Sequence, residues 1–567
     1  MNKMKSLIYI IIILNTYLYL QANTPDSIKV SGVVLDAESK SPIEGVVINI
    51  DNGKHEIYTN DSGKFTIDAI IPGDHIINIK RLGYKSLTKQ CHIESDTCIG
   101  TTFFLSPIDF MTPEITISSS KYASKFTELN SKTSVLEGGD LNKNMGQTVA
   151  STLKNETSVA VRSMGPAPAR PVIRGLGGNR ILIAQDGIKT NDLSSTSPDH
   201  AVMIEPYSAE RIEIIRGPKA VIFSNSLAGG VINVENNKTP ISSQNNPELS
   251  GGISYSSMNN GIQGNMKTSI PIGKLVMKGM VGYNKSGNIT SPNKVLDNTS
   301  SDHLTFSSGA GYSILNFSVG VSYDYFEYDY GIPGGFLGGH PIGADIKLRK
   351  QDINLRMNYH FHYDLLDNLE FFFRRSYYHH TEYESNGSVA AEFVQRLYSG
   401  KILLNQKSYD LSNSISLNGS YGIDFNYNNR RTGGFVFTPP AQTMSLSSFI
   451  FEDLTIGNWF IQGGFRLSYD KYLPEVIATT KHPENVFDKE FISSSLSLSV
   501  MKNYLENLYT GINIYHSEIA PTLEDLYSEG PHLAAYSYEI GNSFLRKERG
   551  NGLELAVSIN LTISSLC

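Results

Sequence analysis

The stretch Leu315-Asn-Phe-Ser-Val-Gly-Val-Ser-Tyr-Asp-Tyr325 decides the fold class, because apolar and small polar side chains alternate along its whole length. Successive side chains of a β-strand point to opposite faces, so this period of two predicts a strand with one apolar and one polar face. About 14 segments of this kind follow one another between residues 248 and 567. Their apolar faces end in Tyr and Phe, which is typical of strands that end at a bilayer interface.

The composition narrows the classes of protein to which this chain can belong. Its 567 residues include 48 Lys+Arg and 55 Asp+Glu, and the net charge of −7 argues against a nucleic-acid-binding surface. The mean hydropathy of −0.20 is too polar for a bundle of membrane-spanning helices, yet it suits a barrel whose strands show lipid only every second side chain. A large soluble β-domain is the alternative, but it would seldom place so many Ser, Asn and Gly residues opposite an apolar face. We therefore favour a transmembrane antiparallel β-barrel.

Residues 1–22 are typical of a secretory signal peptide. Basic residues precede an apolar stretch from Leu7 to Leu20, and a plausible cleavage site follows at Ala22. The exported chain would enter an oxidising compartment, where Cys91 and Cys98 could form a disulfide or remain unpaired. With 3 cysteines in all, the chain is not a disulfide-stabilised scaffold.

Three further regions precede the alternating strands, which occupy residues 248–567. Residues 27–106 carry short β-runs separated by Gly- and Pro-containing turns, and this pattern predicts a small β-sandwich. Residues 107–128 form a polar linker with one short β-prone run. Residues 129–240 mix helical and strand patterns, as expected of a compact α+β unit.

The last alternating segment runs from Leu553 to Ile563, and the chain stops at Cys567. A barrel has to close, because an open edge in lipid leaves backbone groups unpaired. A lumen that holds an α+β unit of about 110 residues needs about 22 strands. We therefore expect an incomplete barrel that lacks about eight strands, in a chain that is truncated.

Three segments of the α+β unit are informative. They are, in chain order, Arg170-Pro-Val-Ile-Arg-Gly-Leu-Gly-Gly-Asn-Arg-Ile-Leu-Ile183, Glu210-Arg-Ile-Glu-Ile-Ile-Arg-Gly-Pro218 and Ala228-Gly-Gly-Val-Ile-Asn-Val234. Together they resemble the plug of TonB-dependent outer-membrane receptors. The segment from Gly32 to Tyr84 resembles the carboxypeptidase-regulatory-like domain that often precedes such plugs. The resemblance implies a mainly β fold with an N-terminal β-sandwich, an α+β plug and an incomplete barrel, in the outer membrane of a Gram-negative bacterium.

The resemblance also implies a partner and a mechanism. A TonB box would pair as an added strand with the periplasmic protein TonB and its inner-membrane energising complex, and a flexible, β-prone tetrapeptide suits such pairing. An ordinary linker strand is the alternative. The TonB-box residues would be Glu114, Ile115, Thr116 and Ile117. Four charged plug residues are expected to hold the plug through ion pairs rather than to contact the ligand. They are Arg174, Arg211, Glu213 and Arg216.

A candidate metal site combines loop and strand residues. Asp199 and His200 place a carboxylate beside an imidazole, which suits a first-row divalent ion. Their segment Ser195-Thr-Ser-Pro-Asp-His-Ala201 resembles the plug loop of the zinc-type branch of these receptors. Two further stretches resemble the same branch, and their candidate ligands are His380, Glu382 and Glu384 on one strand face, and His532 in a Gly-Pro turn. Asp199, His200, one of the two glutamates and His532 would complete a four-ligand set.

We expect energised uptake of a scarce nutrient, with Zn²⁺ as the transported ligand and no required cofactor. The loop after Tyr330-Gly-Ile-Pro-Gly334 carries only His340, whereas the zinc branch often has a His-rich loop there. The alternative ligands are an iron-siderophore, haem or corrinoid complex. A passive outer-membrane binding protein, or a non-functional truncated product, is the alternative of another class.

An enzyme is the least favoured interpretation. His379 and Glu382 have the His-x-x-Glu spacing of zinc carboxypeptidases, but on a strand they point to opposite faces. The sequence contains neither His-Glu-x-x-His nor Gly-x-Ser-x-Gly. We therefore expect no catalysis.

Overall fold

The structure is a computed structural model, and the chain divides into two compact units, Met1–Ile115 and Thr116–Cys567. The structure describes residues 28–37, 40–50, 55–70, 73–81, 84, 87–93, 101–106, 134–190, 193–197, 199–241, 246–334, 343–362, 365–412, 414–435, 438–478, 480–505, 508–532 and 537–559. The expected signal peptide, the TonB box at 114–117, Cys98 and His340 lie outside these residues, so the predictions made for them stay predictions.

The N-terminal unit is a β-sandwich. Its strands are β1 (Ile28–Asp36), β2 (Val47–Ile50), β3 (His55–Tyr58), β4 (Lys64–Ile70), β5 (Gly73–Lys80), β6 (Leu87–Ile93) and β7 (Thr101–Leu105). The strand order is β4-β1-β7 in one sheet and β3-β2-β5-β6 in the other. Alternate side chains of both sheets, among them Val34, Phe65, Ile48 and Ile79, meet in one buried core.

The second unit begins with the plug. Its helices are α1 (Gly138–Asn144) and α2 (Val149–Thr152), with short 3₁₀ turns at Gly178–Arg180, Leu193–Ser195, Pro206–Ser208 and Pro218–Ile222. Its strands are β8 (Ser134–Glu137), β9 (Val159–Ser163), β10 (Ala169–Ile173), β11 (Leu182–Gln185), β12 (Ile188–Lys189), β13 (Arg211–Ile215) and β14 (Val231–Glu235). A five-stranded sheet has the order β12-β11-β14-β13-β8, and β9 pairs with β10. β13 and β14 are buried on both faces, which explains their runs of β-branched residues.

A long antiparallel sheet follows the plug. Its strands are β15 (Glu248–Ser256), β16 (Gly261–Ile272), β17 (Leu275–Ser286), β20 (Ser301–Ile314), β21 (Phe317–Pro333), β22 (Gly343–His360), β23 (Leu366–Tyr383), β24 (Val389–Gln406), β25 (Tyr409–Ser412), β26 (Ile415–Gly434), β27 (Ala441–Ile456), β28 (Trp459–Pro474), β29 (Lys489–Leu505), β30 (Leu508–Ile519) and β33 (Glu548–Ile559). Each strand pairs with its neighbour in this order, except that β25 pairs beside β26. Short elements between them are the hairpins β18 (Ile289–Thr290) with β19 (Val295–Leu296) and β31 (Glu529–His532) with β32 (Ser537–Ile540), the helix α3 (Leu523–Tyr527) and a 3₁₀ turn at Pro483–Asn485.

The two faces of this sheet decide between a membrane barrel and a soluble β-domain. On β21 the apolar side chains of Val321 and Tyr323 are 49% and 38% exposed, whereas Ser322 and Asp324 on the other face are 2% and 8% exposed. The apolar face therefore points outwards and the polar face packs inwards, the reverse of a soluble sheet. This arrangement confirms the prediction of a mainly β fold with a plug and a large antiparallel barrel sheet.

One detail of the alternating stretch differs from the sequence prediction. Leu315 does not belong to a strand, because it occupies the tight turn between β20 and β21 with a φ of 48°. The alternation begins at Phe317. No helix in the described part of the chain is long and apolar enough to cross a membrane.

Candidate metal centre

A plug loop and one barrel strand together form the candidate site. The loop runs from the 3₁₀ turn Leu193–Ser195 to His200, and the strand is β23, near its end at Tyr383. His380 and Glu382 lie two residues apart on β23 and therefore point to the same inward face. The side chains of Asp199, His200 and His380 are all buried, so the site lies between plug and wall.

Three ligand atoms converge at this place. His200 Nε2 and His380 Nε2 each lie 3.2 Å from Glu382 Oε1. His200, His380 and Glu382 each offer one ligand atom, and all three atoms lie within 4.8 Å of one another. Asp199 adds a carboxylate, with its Oδ2 3.6 Å from His200 Nε2. The structure therefore brings together four of the six residues that the sequence nominated.

The separations fit a tetrahedral ion. Ligand atoms about 2.0–2.1 Å from a tetrahedral zinc lie about 3.3 Å from one another. His200 Nε2 and His380 Nε2 each lie 3.2 Å from Glu382 Oε1, which matches this value for two of the ligand pairs. The donors are imidazole nitrogen and carboxylate oxygen, which suit Zn²⁺ and other borderline first-row ions.

A second layer of contacts orients the two imidazoles. His200 Nδ1 lies 3.2 Å from the carbonyl oxygen of Leu193, which can only accept a hydrogen bond, so Nδ1 carries a proton. In the neutral ring His200 Nε2 is then an unprotonated ligand atom directed at Glu382. His380 Nδ1 lies 3.1 Å from the Tyr378 hydroxyl, two residues earlier on the same strand face.

Aromatic side chains enclose the centre. The rings of His200 and His380 meet edge to face with their centroids 4.5 Å apart, and Phe393 lies within 5.9 Å of both. The hydroxyl of Tyr330 donates to the carbonyl oxygen of Asp199 at 3.0 Å and accepts from the backbone N–H of Ala201 at 3.1 Å. Tyr330 thereby fixes the plug loop to the wall on both sides of His200.

Of the two remaining nominated residues, Glu384 is not part of this group, and the position of the His532 side chain is not described. Glu384 lies beyond the end of β23, in a turn closed by a 2.9 Å hydrogen bond from its backbone N–H to the Ser388 carbonyl. The turn ends the strand alternation that placed Glu384 beside Glu382 in the sequence prediction. His532 ends β31, and its side chain is not among those described, so its role as a fourth ligand stays a prediction.

Sequence reasoning missed the supporting residues Leu193, Tyr378, Tyr330 and Phe393. The period of two places Tyr378 on the face of His380, so that contact could have been found from the sequence. The sequence contains no local signal for the other contacts with the centre, because they depend on strand register and on the position of the plug. These contacts are made by Leu193, Tyr330 and Phe393.

Three of the four plug residues that were expected to form ion pairs do form them. Arg174 contacts Glu554 of β33, with one Nη2–Oε2 separation of 3.2 Å. Arg211 lies 2.7 Å from Glu213. Arg216 instead donates from Nη2 to the carbonyl oxygen of Thr157 at 3.3 Å, and its burial lowers the pKa of its guanidinium.

The His-x-x-Glu pair does not share a metal position. His379 Nε2 lies 2.8 Å from Glu392, on the face opposite to His380. Glu382 contacts His200 and His380 instead. The separation of the two side chains follows from their positions on one regular strand.

Three family models match the chain and define its class. The model described as TonB dependent receptor-like, beta-barrel matches residues 282–565, half of the chain. The TonB-dependent Receptor Plug Domain matches residues 126–231, and the CarboxypepD_reg-like domain matches residues 30–134. The chain therefore belongs to the family of TonB-dependent receptors, with a plug, a carboxypeptidase-regulatory-like domain and a β-barrel.

Curated relatives match over limited regions. The Hemin receptor of Yersinia pestis is 29% identical over 102 residues, which are 18% of this chain and 15% of that protein. The Iron-regulated outer membrane virulence protein of Vibrio cholerae is 30% identical over 140 residues, 24% of this chain and 21% of that protein. The matched regions thus span about a fifth or less of the relatives' own length.

Solved structures share the fold at low identity. The Copper transporter OprC superposes with a TM-score of 0.62 at 14% identity, covering 76% of this chain and 70% of that one. The Serratia marcescens hemophore receptor HasR, solved with its hemophore HasA and heme, gives the same TM-score, identity and coverage. These similarities establish the fold of plug and barrel.

Proposed function

We propose that this chain takes up a first-row divalent metal ion across the outer membrane, with Zn²⁺ as the cargo. The observation that carries the proposal is the convergence of His200 Nε2, His380 Nε2 and Glu382 Oε1 within 4.8 Å. Asp199 supports it as a fourth ligand 3.6 Å from His200 Nε2. Two imidazoles and two carboxylates form a nitrogen–oxygen donor set of the kind that zinc accepts.

The hydrogen bonds of His200 determine how zinc binding is coupled to a proton. Because His200 Nδ1 donates to Leu193, a hydrogen bond from His200 Nε2 to Glu382 requires the protonated imidazolium. Zinc requires the unprotonated nitrogen, so its binding has to release that proton. Proton release on zinc binding is therefore a direct signature of the proposed ligand set.

The division of the ligands between plug and wall provides a release mechanism. Asp199 and His200 belong to the plug, whereas His380 and Glu382 belong to β23. A pull by TonB on the segment 114–117 that moved this plug loop would separate the two halves of the site. Zinc would then lose two ligands at once, and its affinity would fall steeply.

Haem or an iron complex is the second candidate, and the names of the relatives support it. A hemin receptor and an iron-regulated outer-membrane protein share 29% and 30% identity with parts of this chain. A haem could not lie between His200 and His380, because their ring centroids are only 4.5 Å apart. The centre therefore favours a single ion over a porphyrin.

Isothermal titration of the full chain in detergent with ZnCl₂ tests the proposal. The binding free energy of a structural zinc site with four ligands is roughly 10–16 kcal/mol. The loss of one ligand in His380→Gln should therefore weaken zinc binding about 100-fold. His379→Gln is the matched control, because His379 is the neighbouring residue on the opposite face of β23. Titrations in two buffers of different ionisation enthalpy would report the released proton.

Equal zinc affinities of the two variants would contradict the metal centre. Binding of hemin that is unaffected by His380→Gln, together with no binding of zinc, would instead favour the second candidate. Deletion of residues 114–117 should abolish zinc uptake by cells while leaving zinc binding to the purified protein unchanged. Uptake that survives this deletion would contradict a role for TonB.

A further inference from the structure

A second feature of the lumen lies beside the metal centre. A cavity of about 340 Å³ lies between the plug and strands β24, β26, β27 and β28. The plug turn Leu193–Ser195 forms part of its lining. The charged side chains of the lining are Arg170, Lys189, Lys401, Arg430 and Arg466, with Asp424 and Asp470. Five cations and two carboxylates give the lining a formal charge of +3.

Arg430 is the most informative residue of this lining. It is buried with 3% of its surface exposed, and its Nη1 contacts the Glu524 carboxylate at helix α3. Its Nε and Nη2 have no hydrogen-bond partner in the part of the chain that the structure describes. A buried guanidinium with two unused donors on one edge is costly unless an acceptor completes it.

Two other side chains of the lining also have a donor without a hydrogen-bond partner among the described residues. Gln395 is buried, and although its Oε1 accepts from Asn428 at 2.8 Å, its Nε2 has no partner among the described residues. Arg466 donates to Asp424 at 2.6 Å and to the Val221 carbonyl at 3.1 Å, yet its Nε is unused within the same set. The lining also holds two unused acceptors, Asn225 Oδ1 and Asn428 Oδ1, among the described residues. The four unused donors of the two arginines and Gln395 outnumber them, so the group that would complete these donors is an acceptor.

We infer that this cavity binds a small carboxylate anion, with Arg430 as its anchor. The Nε–Nη2 edge of a guanidinium matches the two oxygens of a carboxylate in a bidentate contact. Gln395 and Arg466 supply further donors, and the excess positive charge attracts the anion. The volume suits a molecule of a few carbon atoms, at the small end of ligand pockets. A phosphate shares this oxyanion chemistry but has a different geometry.

The carboxylate site is separate from the metal proposal and does not depend on it. The ligand atoms of the metal centre come from His200, His380 and Glu382, and none of these residues lines the cavity. The two sites are joined by the turn at Leu193, whose carbonyl accepts from His200. A second link is Ser197, which accepts from Arg170 of the cavity at 3.4 Å and donates to Asp199. An anion bound against this turn can therefore change zinc affinity without contacting the ion.

Titration of the full chain in detergent with citrate, and separately with inorganic phosphate, tests this inference without zinc. Arg430→Lys keeps the charge and removes the planar fork, so citrate affinity should fall at least about tenfold. Gln395→Met removes one hydrogen-bond donor at nearly constant volume. It should lower the citrate affinity by a smaller factor than Arg430→Lys does. Arg356→Lys is the matched control, because Arg356 is a buried lumen arginine paired with Glu370 outside the cavity.

Each outcome decides the assignment. Citrate binding that weakens in Arg430→Lys and Gln395→Met, but not in Arg356→Lys, supports a carboxylate site. Phosphate binding tighter than citrate would overturn the carboxylate as the ligand. Absence of binding by either anion, or equal losses in the Arg430 and Arg356 variants, would overturn the site itself. If Arg430→Lys does not fold, as judged by circular dichroism, the Gln395→Met titration decides the question alone.

Discussion

Two histidine–carboxylate contacts join the plug to the barrel wall, and they differ in what surrounds them. At the metal centre His200 of the plug meets Glu382 of β23, and His380 approaches the same carboxylate oxygen. At the second contact Glu205 of the plug meets His303 of β20 at 2.7 Å. His200, Glu205 and His303 are buried, and Glu382 is half-buried.

The second contact is a simple pair. Glu205 also caps the 3₁₀ turn at Pro206–Ser208 by accepting from the backbone of Tyr207 at 3.0 Å. The other ring nitrogen of His303 has no hydrogen-bond partner among the described residues, and the rings of Phe326 and Tyr328 cover it. Identical residue types thus form a candidate ion centre where several ligand atoms converge and an anchor where only two meet.

The largest expected effect distinguishes the two carboxylates by their zinc affinity. Glu382→Gln removes the charge shared by two imidazoles, and we expect zinc affinity to fall about 100-fold. Glu205→Gln should leave zinc affinity within about twofold of the parent, since Glu205 pairs with His303 and offers no atom to the ligand group. Isothermal titration of both variants provides the comparison. Similar losses in the two variants would mean that the plug position, rather than the ligand set, controls binding.

An intermediate effect concerns the anchor and its dependence on pH. Burial by itself would raise the pKa of Glu205, but the adjacent His303 outweighs burial and holds this pKa below its usual value. A carboxylate with a lowered pKa stabilises the fold above its ordinary value of 4.5, and this stability is lost as the pH falls through the folded pKa. Glu205→Gln should therefore lose about 2 kcal/mol at pH 7 and show less acid destabilisation below about pH 4.5.

Hydrogen exchange of plug amides between pH 7 and pH 4 measures this anchor. Exchange rates are first corrected for the intrinsic effect of pH on each amide. Parent and variant plugs should then differ most at neutral pH and converge as the pH falls. A constant difference at every pH would show that Glu205 acts through packing and not through its charge.

The smallest expected effect concerns the contact by which Tyr378 orients His380. Tyr378→Phe removes the hydroxyl 3.1 Å from His380 Nδ1 and leaves the ring in place. Loss of such an orienting contact typically weakens metal binding about tenfold. Tyr398→Phe on β24, whose ring packs against Tyr427, is a suitable control. Unchanged zinc affinity in Tyr378→Phe would show that packing against Phe393 suffices to orient His380.

Much of the architecture follows from local patterns in the sequence. The alternation from Phe317 onwards specifies strands with two unlike faces, and the runs at β13 and β14 specify strands buried on both sides. The same period places His380 and Glu382 on one face of β23. Strand alternation can be predicted because it depends only on backbone geometry.

The limits of such prediction appear at strand ends and between distant segments. Glu384 follows the period of two in sequence but lies in the turn after β23, because the alternation ends where the hairpin turns. The unused donors of Arg430 and Gln395 have no signature in the sequence, since they are defined by what packs around them.

The sequence by itself determined that this chain forms an α+β unit followed by alternating barrel strands, because strand periodicity and turn residues act over a few positions. Only the tertiary structure decided that His200 meets His380 and Glu382, about 180 residues further along the chain. It also decided that the contact between Glu205 and His303 remains a pair. Convergence of ligand atoms depends on the register of β23 and on the position of the plug, and both are set by packing over the whole unit.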